Sequence, residues 1–507
     1  MMKYVSRSKT IARVDNGLIF QYNAEINYWK NVLKRIAAVV KFLASRGLGF
    51  RGDNEILGSQ NNGNYLGCLE LISEFDPFLA DHIQNYGNRG KGSTSYLSAN
   101  ICNEFINIMG ENVLTTIISE IKAAKYYSIS VNSTPDLSHV DQLTFIVRFV
   151  KDGKPIERFL QFLLIEEHKA QYIADTVLNF LKDHKIPIKN CRGQSYDNAA
   201  NMAGKYSGLQ ARIKEQCKFA IFVPCAAHSL NLTWNDLLGA INKTSLSLQN
   251  NTITMDVATK LLASLSEYIS NARNNFDQYE SAAKEINPNS DYKDKFQRKR
   301  IRSTRITFLE NPSETVQLSG KEKFYVETFL PIIDTLNTHL MQRSESYKEI
   351  NERFSFFTQL QTIEPNHLKK KCKELADFYC EDINTNELNS ECFHLREYLK
   401  TFKNESMDLS ILDIHSLIKA DKLAETFPNV EVATRIFLCL MIIDCSGERS
   451  FSQLKRIKNE LRTTMLQERL TNLSIMCIES DLLQKLDFED IIEDFAQQKS
   501  RKKSLLT

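Results

Sequence analysis

Cys225-Ala-Ala-His228 sets a thiol and an imidazole three residues apart, the spacing of half a tetrahedral zinc site. A complete site needs a second pair of ligands at similar spacing. None accompanies this one, so zinc is not expected, and the plain alternative is a small buried thiol beside a histidine that caps a helix starting at Ser229. The densest basic run is Lys293, Lys295, Arg298, Lys299, Arg300, Arg302 and Arg305, with Tyr292 and Phe296 interleaved. Such a run has the composition to follow a phosphate backbone and bind it in a salt-dependent way, and it equally suits a solvated helix face or loop. Lys499, Arg501, Lys502 and Lys503 form a weaker basic cluster, read as a solvated end.

Composition narrows the setting of these groups. With 507 residues, 42% hydrophobic and 25% charged, and only 10 prolines, the chain is long enough for two or more packed regions and is neither disordered nor fibrous. The 64 Lys and Arg against 62 Asp and Glu leave a net charge of +2, so any nucleic-acid contact has to come from local patches. The 11 cysteines are odd in number and scattered, which fits reduced thiols inside a cell better than a disulfide framework. Met1 to Asn16 lacks an apolar core and no window reaches the roughly 18 apolar residues a bilayer span needs. Neither secretion, membrane insertion nor a small-molecule substrate is expected.

Trp29, Val32, Leu33, Ile36, Val39, Val40 and Leu43 recur at three- and four-residue steps, which predicts one apolar face of a helix closed by Gly47 and Gly49. Turn chemistry follows at Arg51-Gly52-Asp53 and Asn61-Asn62-Gly63-Asn64, then a helical pattern from Tyr65 to Phe75 and a loop over residues 87–95. From Tyr127 the pattern changes to β-branched runs: Ser128 to Val131, Leu143 to Val150 and Ile156 to Ile165. Asp152-Gly153 predicts a tight hairpin between the second and third. A helix from about Lys169 to Lys185, a strand from about Asn190 to Tyr196, a helix from about Met202 to Cys217 and a strand from Ala220 to Pro224 follow. An antiparallel trio followed by alternating helix and strand implies a mixed sheet covered on both faces, the ordering of RNase H-like domains. Residues from about 240 to 425 show helical spacing throughout. A buried run from Ile436 to Ile443 and further helices carrying Phe451, Leu454, Leu461, Leu470, Leu473 and Phe488 to Phe495 close the chain.

Three stretches resemble the hAT superfamily, in the eukaryotic branch that includes zinc finger MYM-type protein 1 and similar transposon-derived proteins. They are Ser130-Val-Asn-Ser-Thr-Pro-Asp-Leu-Ser-His-Val-Asp-Gln-Leu143, Gly193-Gln-Ser-Tyr-Asp-Asn-Ala-Ala-Asn-Met-Ala-Gly204 and Gly447-Glu-Arg-Ser-Phe-Ser-Gln-Leu-Lys455. Tyr28-Trp29-Lys30, Phe50-Arg51-Gly52 and Asn61-Asn-Gly-Asn64 resemble the region upstream of the core in that branch. The resemblance implies an α/β fold class: an RNase H-like mixed sheet, with three antiparallel strands then alternating helix and strand, interrupted by a large all-helical insertion and preceded by a helical N-terminal region. It sets expected boundaries at 1–120 for that N-terminal region, 121–240 for the core and 241–430 for the insertion. A dimerisation region that completes the core is expected at 431–498, followed by a basic tail at 499–507.

In that family a triad of carboxylates holds two divalent metals for DNA cleavage, on the first strand, after the fourth strand and on a helix past the insertion. The resemblance puts Asn132, Asp197 and Glu448 at these positions, with Cys225 and His228 in a supporting motif near the site. Asp197 and Glu448 would be the metal ligands, for Mg²⁺ or Mn²⁺ if the chain is active. Asn132 departs from the pattern, because an amide oxygen carries no charge and two dications about 3.5–4 Å apart need anionic oxygen ligands. Asp136 would compensate only if a turn at Pro135 folded it back, since four extended residues span roughly 13 Å. Met441 and Asp444 also fall where relatives carry an apolar stretch with a proline. Members of the branch usually begin with a DNA-binding zinc finger, and this chain starts where that module would already have ended. The expected function is therefore a transposase-derived nuclear protein with an impaired acidic site, acting through self-association and through DNA, chromatin or protein partners. The alternative is an active Mg²⁺-dependent DNA transposase.

Overall fold

The computed structural model describes residues 14–90, 94–196, 200–224, 235–248, 250, 253–286, 292, 319–401, 409–441, 445–498, 503 and 505. They form two compact units, one of residues 1–225 with 438–507 and one of residues 226–437.

In the first unit, helix α1 (Val14–Ser45) buries the whole predicted stripe from Trp29 to Leu43. It ends in a Schellman motif: Gly47 takes φ +62°, Leu48 N–H donates to Leu43 O at 3.0 Å and Gly47 N–H to Ala44 O at 3.0 Å. Helices α2 (Gly63–Ser73), α3 (Pro77–Tyr86) and α4 (Ala99–Ala124) follow. Asp76 caps α3, accepting from Phe78 N–H at 3.1 Å and Leu79 N–H at 3.4 Å, with Pro77 at the first helical position.

The sheet contains β1 (Tyr127–Pro135), β2 (Asp141–Lys151), β3 (Lys154–Ile165), β4 (Cys191–Tyr196) and β5 (Ile221–Pro224), in spatial order β3-β2-β1-β4-β5. β1 pairs antiparallel with β2 and β2 with β3, while β4 runs parallel to both β1 and β5. Asp152 and Gly153 both take positive φ, +51° and +76°, as a two-residue hairpin that matches strand twist requires. Nine consecutive residues of β2, Gln142 to Val150, are buried, the pattern of a strand covered on both faces. Helix α5 (Ala170–Asp183) makes the crossover to β4. The helix expected from Met202 to Cys217 is instead two, α6 (Ala200–Ala203) and α7 (Leu209–Gln216). A Cβ on Gly208 would collide with the backbone of Gly204, so the chain turns there at a contact only glycines allow.

The second unit is helical, with no strand among its described residues. Its helices are α8 (Asn235–Leu248), α9 (Met255–Ala272), α10 (Phe276–Ile286), α11 (Gly320–Phe324), α12 (Leu330–Phe354), α13 (Pro365–Phe378), α14 (Thr385–Thr401) and α15 (Ile411–Ala420). A wide π turn over Tyr325–Phe329 leads into α12 just before Pro331, which removes one backbone donor and crowds the preceding turn. Helix α16 (Pro428–Cys439) supplies the start of the buried run expected from Ile436, and Leu440 and Met441, past the helix, continue it.

The first unit resumes within α16 and adds α17 (Cys445–Ile457), α18 (Gln467–Ile478), α19 (Ser480–Lys485) and α20 (Phe488–Gln497). Helix α4 packs against α18 and against strands β2 and β3, and α18 itself also packs on β3. A Cβ on Gly110 of α4 would come within 2.5 Å of Asn472 Oδ1, so these two helices touch at a position that tolerates no side chain. The tail departs from the solvated end expected of it. Lys503 pairs with Glu25 at 2.8 Å and lies 5.4 Å from the Trp29 ring centroid, and Leu505 is buried. The long alkyl stem of Lys503 covers the aromatic face while its ammonium keeps an ionic partner.

Candidate active site

Asn132 is half-buried near the C-terminal end of β1, opposite Thr144 of β2. The last β1–β4 pair is Ser130 with Ser195, tied by a hydrogen bond from Ser130 Oγ to Ser195 O at 2.9 Å. Asn132 follows that pair by two residues on β1, and Asp197 follows it by two on the β4 side. Asp197 itself lies outside the described residues.

Helix α17 carries Glu448 and packs against β1, β2 and β3. Its sheet-facing side is polar at the start and apolar after. Ser446 donates to Glu157, whose carboxylate pairs with buried Arg148 at 2.9 Å, and Arg148 Nε donates to Leu438 O at 3.3 Å. One turn on, Ser450 Oγ meets Thr144 Oγ1 at 2.8 Å, both groups buried. Phe451 stacks on Phe162 of β3 with centroids 6.1 Å apart, and Leu454 and Ile457 are buried. Through Ser450, the second turn of α17 is anchored to Thr144, the residue paired with Asn132. Glu448 is exposed, because at 100° per residue it points roughly 160° away from Ser450. No described side chain bonds its carboxylate.

Asp136 lies just past β1 and is buried. One oxygen accepts from Ser138 N–H at 2.7 Å and Val140 N–H at 3.2 Å, closing the turn into β2. The other accepts from Gln142 Nε2 at 3.2 Å and pairs with Lys458 Nζ at 2.6 Å. Burial pushes this carboxyl up, but Lys458 and the two backbone donors outweigh it and hold it below the usual carboxylate value. Pro135 still pairs with Asp141 at the end of β1, so the turn begins only at Asp136 and does not fold it back toward Asn132, and the aspartate is committed to a buried lysine.

Cys225, His228 and the basic run Lys293, Lys295, Arg298, Lys299, Arg300 and Arg302 also lie outside the described residues, as does Asp444. Among the described residues no three His, Cys, Asp or Glu side chains converge to hold a metal. Of the three triad positions, the described ones offer a neutral amide and one outward carboxylate, which by themselves do not fit a two-metal centre. The groups that fix the site's frame, Thr144, Ser450, Glu157 and Lys458, were missed in the sequence. Their signal is weak, since each acquires its meaning only from a partner 289 to 322 positions away.

Residues 2–208 match the family described as ZMYM1/FAM200, RNase-like domain, and residues 394–482 match the hAT family C-terminal dimerisation region. The human protein named 52 kDa repressor of the inhibitor of the protein kinase is 23% identical over 148 residues, which make up 28% of this chain and 18% of that protein. The mouse protein of the same name is 25% identical over 122 residues, 22% of this chain and 15% of that one. The chain thus aligns with less than a fifth of the length of either relative. Among the described residues no helix is long and apolar enough to cross a membrane. The five-stranded mixed sheet, the helix α17 docked on it and the two family matches together make this chain a hAT-derived protein, with an RNase-like domain and a hAT C-terminal dimerisation region.

Proposed function

We propose that the protein is a domesticated transposase that has lost strand cleavage and acts as a self-associating, DNA- or chromatin-associated module in the nucleus. The observation that carries this reading is Asn132. It stands on β1 at the position the family resemblance assigns to the first acidic ligand, beside the strand on which α17 docks, and it brings no charge to a metal. Asp136, the nearest carboxylate along the chain, is taken by Lys458, which removes the support for compensation and with it for an active Mg²⁺-dependent transposase. Self-association rests on the dimerisation region at 394–482, and a nuclear regulatory role draws support from the repressors to which the chain is similar.

Two measurements on the full chain test this. In calorimetric titration with Mn²⁺ the unmodified chain should bind weakly and Asn132→Asp more tightly, and equal affinities would remove the role given to Asn132. Sedimentation equilibrium should show a concentration-dependent dimer or larger assembly, and a monomer at every accessible concentration would remove self-association.

A further inference from the structure

Phe50-Arg51-Gly52 and Asn61-Asn62-Gly63-Asn64 are sequence features to which the proposed function gives no task. In the first unit these two segments cross at a glycine contact. A Cβ on Gly52 would strike Asn61 O and Gly63 N, and one on Gly63, which takes φ +81°, would strike the backbone of Arg51 and Gly52. Backbone bonds lock the crossing: Asp53 N–H donates to Asn61 O at 2.9 Å and Tyr65 N–H to Phe50 O at 3.0 Å. The result is a rigid platform that holds Arg51 out toward solvent.

That platform forms one wall of a cleft of about 900 Å³, whose other walls are α4 and the segment leading into α18. Three arginines converge there, Arg51, Arg462 and Arg469, among the amide side chains of Asn64, Asn103 and Asn459. Arg469 is fixed by a hydrogen bond to Asn103 Oδ1 and lies 5.6 Å from the Phe50 ring centroid. Arg462 extends past Gly49, with both terminal nitrogens 3.5 Å from Gly47 O. None of the three pairs with a described carboxylate. The cleft's two acidic residues are otherwise placed: Asp53 is exposed, and Glu468 accepts from Asn107 Nδ2 at 3.1 Å. Burial lowers the guanidinium pKa of Arg469, opposed by Cys102, and Arg51 and Arg462 push it further down. The cleft also faces the start of α18, a twelve-residue helix whose N-cap, Leu466, provides no side-chain acceptor for the first free N–H groups.

The cleft sets three guanidinium groups against two carboxylates, neither of which pairs with them, and this surplus of unpaired guanidinium donors suits an anionic partner from outside. We propose that this cleft binds the phosphodiester backbone of a nucleic-acid strand, with Arg51, Arg462 and Arg469 as its phosphate contacts. Arginine forks match phosphate oxygens in pairs, the amides can reach sugar and phosphate oxygens, and the volume admits several linked nucleotides where a single phosphate would leave most of it empty. This rests on and deepens the DNA-associated reading above, and it assigns the contact to residues other than the basic run at 293–302.

The test uses the full chain with two probes, fluorescein-labelled oligo(dT) and inorganic tripolyphosphate, and compares it with Arg51→Gln and with Arg51→Gln/Arg462→Gln. Arg51 is exposed and makes no described side-chain bond, so its single variant keeps the fold, which a matching thermal melt verifies. The double variant should bind oligo(dT) about tenfold more weakly at low salt. The slope of log affinity against log salt should fall by roughly 1.4, about 0.7 for each lost contact. Tripolyphosphate should compete weakly with oligo(dT) on the parent. If the parent binds tripolyphosphate through these arginines and no oligonucleotide, the cleft is a small-polyphosphate site and the nucleic-acid assignment falls, with the DNA-associated reading. If the parent binds oligo(dT) and both variants bind it equally well, the cleft assignment is overturned while that reading stands.

Discussion

Ser450 Oγ and Thr144 Oγ1 meet at 2.8 Å in a buried contact between α17 and β2. Ser450 also donates to Gly447 O at 2.7 Å, which uses its only proton, so Thr144 must be the donor in the contact between the two hydroxyls. This bond joins the helix of Glu448 to the strand residue paired with Asn132, and the geometry of the candidate site depends on it.

Ser450→Ala should therefore destabilise the protein by about 1–2 kcal/mol, the usual cost of leaving a buried hydroxyl without a partner. Thr144→Val combined with Ser450→Ala should recover part of that loss, because both polar groups are then gone. Urea unfolding of the two single variants and the double variant measures the coupling. Additive losses would mean that the two hydroxyls do not depend on each other.

Asp136→Asn should be costlier, about 3–5 kcal/mol near neutral pH, because it leaves the ammonium of Lys458 buried without a counter-charge. The folded carboxyl lies below its ordinary value, so its stabilisation is complete above the unfolded value of about 4 and is lost as pH falls through the lower folded value. The stability gap between the unmodified chain and Asp136→Asn should stay constant from pH 7 to about 5 and close in stronger acid. A gap that widened on acidification would contradict the ion pair.

His415 in the helical unit gives the same sign of proton balance in a higher pH window. It is fully buried, and burial, opposed by the nearby charge of Glu431, pushes its pKa down to about 4. Thr434 commits its hydroxyl proton to backbone carbonyls, so its oxygen accepts from His415 Nδ1 at 2.9 Å. As pH drops from about 6.5 toward 4 the unfolded chain takes up a proton that the folded chain refuses, which costs about 3 kcal/mol over that window. His415→Gln should flatten the stability profile between those pH values. An unchanged slope would show that His415 titrates freely in the fold.

The sheet was legible in the sequence because its signals are local: β-branched runs and Asp152-Gly153 at a hairpin. The stripe from Trp29 to Leu43 was legible for the same reason at helical spacing. The break between α6 and α7 was not, since its cause is the approach of Gly208 to the backbone of Gly204, which a periodic pattern does not encode. In the candidate site, Asn132, Asp197 and Glu448 stood out as motif positions. The Asp136–Lys458 pair and the convergence of Arg51 with Arg462 and Arg469 did not, because only the folded chain brings those positions together. Lys503 was misread for a related reason: a basic tail looks solvated until its alkyl stem finds an aromatic face.

The most direct test of the central claim is Mn²⁺-dependent nicking of supercoiled plasmid by the full chain. The account predicts that the unmodified protein leaves the plasmid intact, that Asn132→Asp nicks it, and that adding Glu448→Gln abolishes the gain. Nicking by the unmodified protein that Glu448→Gln removes would contradict the account, since the site would then work with an amide on β1.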